Sequence, residues 1–311
     1  MKKLVLAVCT VICSVSLASA QDLETVAAVY NKAAETIESN KAEAITLFEQ
    51  ALEQAAALGE DGSDLVSKCK DILPKLYVSL GKELASEKDM NAAVEKLQKA
   101  VSLAAEYGDA DSEGEAKTLI PQLLMSEAGS LLNAKDFAAA AAAYQEVINV
   151  DPDNATAFLR MGQALASAGD ADGAVEAFEQ ASSLGQKEAA AKQLGNLYLK
   201  KAAASQKAKD MKSALEFAQK SAEYADTPNA QKLIGTTALQ LKQNKVAADA
   251  FEAYLALSPD AKDKVQIIFQ LGTALMNAGD NSKACGYFKQ VAQDAQFGEG
   301  ARYYLTQLKC E

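Results

Sequence analysis

One set of spacings recurs down the chain and restricts its fold more than any other feature. Phe158-x-x-Met161-Gly162-x-x-Leu165, followed by Ala174, Phe178 and Ala181, returns as Ile268-x-x-Leu271-Gly272-x-x-Leu275, followed by Ala284, Phe288 and Val291. The same offsets run through Tyr77, Leu80, Gly81, Leu84, Ala93, Leu97 and Ala100, and through Leu124, Ala128, Leu131, Ala140, Tyr144, Val147 and Pro152. Large residues at the first, fourth and eighth places share one helical stripe, which is the buried face of a first helix. Small residues such as Gly162, Gly195, Gly235, Gly272, Ala174 and Ala247 let a second, antiparallel helix approach closely. Phe178, Phe251 and Phe288 are then expected to fill the space beside the neighbouring unit. Asp89, Asp136, Asp170, Asp210 and Asp280, with Asn40 in the first unit, each stand four residues before the small residue of a second helix. That is an N-cap position, where a side-chain oxygen accepts from orphan backbone N–H groups for about 1 kcal/mol each. Pro152 and Pro259 fall where second helices must stop.

Several spacings agree at once and recur, and the pattern resembles the tetratricopeptide repeat. The resemblance implies an all-α, right-handed superhelical solenoid of about seven helical hairpins with a C-terminal capping helix. The units are expected near residues 22–58, 60–107, 112–154, 155–187, 188–227, 228–262 and 263–296, with the cap at 297–311. The second and third units are longer than the rest. Residues 64–73 and 112–120 should extend their first helices, with Pro74 and Pro121 producing a bend or a break. The fifth unit lacks a strong aromatic core residue and carries an insertion around Ala202–Lys209. The sixth places Gln231 at its first large position, which predicts weaker packing.

Charge and composition exclude several function classes. Of the 311 residues, 31 are basic and 42 acidic, and only Arg160 and Arg302 are arginines, so no nucleic-acid partner is expected. The chain has no histidine, which removes the commonest general base and metal ligand. Lys2 and Lys3, the apolar Leu4 to Leu17 and the small Ala18-Ser19-Ala20 read as a secretory signal over residues 1–20, with a mature start at Gln21. Val8 and Ile12 precede Cys9 and Cys13, which argues against lipid attachment, and no later segment suggests transmembrane insertion. The expected location is outside the cytoplasm, with the periplasm preferred over secretion or the outer surface.

The resemblance also implies where a partner lies, because the family's first helices line a concave groove. Its positions fall here on Gln163, Lys192, Asn196, Leu199, Lys200, Asn229, Lys232, Leu239, Gln266 and Phe269, with Met125, Leu132, Leu159, Thr236, Thr273 and Met276 alongside. Mixed amide, lysine and apolar side chains suit a protein or peptide partner, as an extended segment or a helix; a solvated face that binds nothing is the alternative. Lys192 and Asn196 match two positions of the family's carboxylate clamp, but Leu233, Gln266 and Gln270 fill the other three. Residues 187–220 hold eight lysines against Glu188, Asp210 and Glu216, which suits a partner with acidic segments or simply keeps an Ala-rich helix soluble.

No cofactor or metal is expected. Asp109-x-Asp111-x-Glu113-Gly114 begins like a calcium loop, but Ile120 stands where the bidentate Glu belongs. Outside the signal the cysteines are Cys69, Cys285 and Cys310. Cys285 and Cys310 sit at similar heights across the last turn, as a disulfide candidate or as independent thiols. The sequence thus predicts an exported interaction scaffold, rather than an enzyme, in a bacterial envelope assembly. A self-associating structural spacer is the alternative, and an enzyme with an unrecognised carboxylate or lysine site the more remote one. Oligomeric state is left open.

Overall fold

The computed structural model describes residues 22–310, so the signal segment, Gln21 and Glu311 lie outside the described residues. Every regular element among the described residues is helical. The chain divides into two compact units, with the boundary in sequence between Pro152 and Asp153.

The first unit contains α1 (residues 22–36), α2 (Lys41–Ala57), a short 3-10 turn (Gly59–Gly62), α3 (Ser63–Ser86), α4 (Met90–Tyr107), α5 (Ala110–Asn133) and α6 (Phe137–Val150). The second contains α7 (Ala155–Ala168), α8 (Ala171–Ser183), α9 (Lys187–Lys207), α10 (Met211–Tyr224), α11 (Pro228–Gln240), α12 (Asn244–Leu257), α13 (Lys264–Ala278), α14 (Asn281–Val291) and α15 (Gly298–Gln307). Consecutive helices form seven hairpins, and α15 follows as the last helix.

Side-chain caps begin six of the second helices. Asn40, Asp89, Asp136, Asp170, Asp210 and Asp280 each accept from the backbone N–H three residues on. Gln243, at the same place before α12, makes no such bond. The first helices end in left-handed backbone, supplied by Gly169 and Gly279 in the fourth and seventh hairpins but by Lys88, Lys135, Lys209 and Lys242 in others.

In the fourth, sixth and seventh hairpins the small residue and the ring form one device. A Cβ on Gly162, Gly235 or Gly272 would lie 2.6, 2.6 or 2.8 Å from Phe178, Phe251 or Phe288. Each phenylalanine therefore lies over the first helix of its own hairpin and also packs beside the next element: Phe178 clusters with Leu194 and Leu197 of α9, and Phe288 stacks on Tyr304 of α15 at 5.1 Å. In the fifth hairpin Ala218 takes the ring's place, and the Ser221 hydroxyl donates to the Gly195 carbonyl at 2.8 Å inside the core.

Pro74 and Pro121 sit inside α3 and α5 without breaking them. A helix-interior proline removes one backbone bond and costs about 3 kcal/mol. Around Pro74 the burial of Leu73, Leu76 and Tyr77 opposes that cost, and Pro74 is itself buried. The Asp109–Gly114 segment is the start of α5 rather than an ion loop. Asp109 accepts from the Ser112 N–H and hydroxyl, and those bonds hold its carboxyl below the usual carboxylate range. Cys69 is buried, which pushes its thiol up to about 11.

Candidate functional site: a groove across the first helices of the second unit

In the second unit α9 packs against α11 as well as against its hairpin partner α10. The two first helices thereby place the same stripe of the repeat side by side. Between them lies a cavity of about 500 Å³, lined by Leu199 and Gln206 of α9 and by Asn229, Lys232, Leu233, Thr236 and Gln240 of α11. Residues 229, 232, 233, 236 and 240 follow helical spacing along one face of α11. Gln206 reaches the cavity because the insertion after Ala202 is helical and lengthens α9 to 21 residues, against 14 in α7.

Amides and leucines dominate this wall. The Thr236 hydroxyl donates back to the Lys232 carbonyl at 2.9 Å. Lys232 is paired with Asp263, which also accepts from the Tyr254 hydroxyl at 2.6 Å. The lysine first, and the tyrosine second, hold the Asp263 carboxyl below its ordinary range. Tyr254 is pushed up to about 12 by its bond to that carboxylate and by burial. The one lysine on the wall therefore arrives with its charge already balanced.

The expected site residues divide. Leu199, Asn229, Lys232 and Thr236 come together in the cavity. Lys192, Asn196 and Lys200 are exposed on α9, outside its lining. On α7 the Gln163 side-chain oxygen accepts from Arg160 at 3.1 Å. Leu239 is half-buried against the core, and Gln266 is exposed on α13. Phe269 also lies outside that lining. Its ring packs against Phe288, Phe297 and Tyr304 at centroid distances of 5.7, 5.4 and 6.0 Å, under α15. An aromatic on the last first helix is claimed by the capping helix that covers it.

Gln206, Leu233 and Gln240 line the cavity without having been assigned to it. The i, i+4 continuation from Thr236 marks Gln240, whereas Gln206 required knowing that the insertion is helical. Cys285 and Cys310 are joined, with their Cα atoms 5.7 Å apart, which ties the end of the chain after α15 to α14.

A ladder of antiparallel hairpins with ring-over-glycine packing and an amide-lined face on its first helices defines a helical-repeat interaction protein. The family follows from the sequence profiles that match. Tetratricopeptide-repeat profiles fit residues 74–107, 131–196 and 266–295, and the chain is a tetratricopeptide-repeat protein. No curated protein matches the sequence. Among solved structures, the chain is similar to a MamA protein at 19% identity and TM-score 0.38, over 58% of this chain and 94% of that one. A MamA fragment from Desulfovibrio magneticus RS-1 gives 21% identity and TM-score 0.34, over 56% and 97% of the two chains. YrrB, described as a tetratricopeptide-repeat protein with an unusual peptide-binding site, gives 20% and 0.34, over 54% and 82%.

Proposed function

We propose that this chain is an exported, non-enzymatic scaffold that holds an extended segment of a partner protein in the α9–α11 groove, within a bacterial envelope assembly. The observation that carries the reading is the wall itself. Gln206, Asn229 and Gln240 offer donors and acceptors suited to a peptide backbone, while Leu199 and Leu233 offer apolar contact to its side chains. Burial of apolar side chains supplies most of the affinity in such a groove, at roughly 25 cal/mol per Å². Because Lys232 is already matched by Asp263, the groove favours a neutral segment over an acidic one. Export is supported by the charged, apolar and small-residue order of residues 2–20 and by a disulfide of the kind that persists in oxidising compartments.

Photo-crosslinking from positions 236 and 240 in the living cell tests the groove. One dominant partner is expected, lost on Leu199→Asp with the helical content unchanged. Equal capture from the outer face of α10 or α12, or none, would overturn the assignment. Mass spectrometry of the mature protein should find Gln21 at the N-terminus, and a retained Met1 would refute export by this signal.

A further inference from the structure

Two consecutive turns of the second unit carry an unusual concentration of positive charge. Lys207, Lys209 and Lys212 flank the turn between α9 and α10, and Lys242 and Lys245 flank that between α11 and α12. All five are exposed, and none belongs to an ion pair among the described residues. The one acid in these turns, Asp210, is engaged in capping α10. Since α9 and α11 each run antiparallel to α10 and pack together, both turns lie on one edge.

Local electrostatics explain only part of this. A helix C-terminus attracts a lysine, which accounts for Lys209 and Lys242, as for Lys88 and Lys135 elsewhere. Lys212 and Lys245 are the second residues of α10 and α12, where the helix dipole repels a cation.

The countercharge is on the chain itself. Residues 22–152 hold 24 acidic against 11 basic side chains, whereas residues 153–311 hold 18 of each. Part of the excess stands where α3 and α5 begin, at Glu60, Asp61 and Asp64 and at Asp109, Asp111 and Glu113. These helices pack together, so their starts share an edge, with a cavity of about 640 Å³ beside it lined by Asp71, Asp109 and Asp111 and also by Lys75, paired with Asp71, and Lys70, which lies over the Tyr107 ring. Glu60, Asp61 and Asp111 are exposed and outside every ion pair described.

We infer that the chain self-associates, the basic edge of one copy's second unit docking on the acidic edge of another copy's first unit. Each contact pairs one edge with the other, so the assembly closes as a reciprocal pair or a ring, or grows as an open filament. The groove takes no part, and a failure here leaves the peptide-binding proposal standing.

Sedimentation velocity of the mature, disulfide-linked chain tests the inference. At low salt, where screening reaches beyond 10 Å, the average mass should rise with protein concentration; it should fall to the monomer at about 0.5 M salt. The Lys209→Glu/Lys242→Glu/Lys245→Glu variant and the Glu60→Lys/Asp61→Lys/Asp111→Lys variant should each associate at least about tenfold more weakly alone. Mixed together, they should form a complex again, because the first variant keeps its acidic edge and the second its basic edge. Circular dichroism checks folding, and the Lys209→Gln/Lys242→Gln/Lys245→Gln variant, also expected to be monomeric, replaces a reversal that unfolds. A wild type that stays monomeric at low salt, association indifferent to both reversals, or no rescue on mixing would each overturn the inference. An edge that serves a membrane or another acidic protein would give the first of these results.

Discussion

Gly235 and Gly286 are both helical glycines, and their surroundings give them opposite roles. Alanine is favoured over glycine in a helix by about 1 kcal/mol. At Gly286 nothing lies within 4 Å of an added Cβ, so Gly286→Ala should raise stability by roughly 0.5–1 kcal/mol. At Gly235 that Cβ would lie 2.6 Å from the fully buried Phe251 ring, so Gly235→Ala should destabilise by about 1–3 kcal/mol despite its better propensity. Denaturant unfolding of the two variants checks both signs. A second residue-scale prediction concerns the missing cap. Gln243 has φ −83° and ψ 64°, close to the −82° and 75° of the capping Asp136. Gln243→Asp should therefore gain about 1 kcal/mol, read as a higher urea midpoint with an unchanged slope.

At the scale of elements, Asp263 joins three helices through Lys232 of α11 and Tyr254 of α12, at the start of α13. Its folded-state pKa is lowered, so its contribution is complete above the ordinary carboxylate value of about 3.9 and is lost as pH falls through the lower folded value. Tyr254, raised to about 12, contributes below the ordinary phenol value and loses that contribution as pH rises toward 12. Asp263→Asn should flatten both limbs of the melting temperature against pH; unchanged limbs would refute the hub. The cap is the other element-scale case. Phe269 and Phe288 stack beneath Tyr304 of α15, while the Cys285–Cys310 bond holds the chain beyond it. Cys310→Ser should cost up to about 3.5 kcal/mol on the chain-entropy account. Hydrogen exchange should quicken in α15 first, because its ring contacts persist but its tether does not.

For the whole molecule, two compact units built from nearest-neighbour hairpins make stability a local property. Leu97 is fully buried in α4, and Leu97→Ala should cost about 2–5 kcal/mol. The loss of amide protection is expected to be largest in α3, α4 and α5 and to fade along the repeat. Uniform loss through α14 would mean that the array opens as one cooperative body.

The residue spacings by themselves determined the hairpins and the caps. These depend on contacts within one hairpin, whose two helices a short turn forces together. The sequence also marked Leu199, Asn229 and Lys232, because a repeat position fixes which face of a helix a side chain occupies. What lies opposite that face was decided only in three dimensions. Phe269 belongs to the cap because α15 folds back over it, and Lys232 is neutralised because the start of α13 brings Asp263 to it. Gln206 joins the groove because an insertion that could have looped out continues α9 instead. Periodicity specifies a side chain's direction, whereas its partner comes from a neighbouring helix whose length and ending the local pattern does not encode.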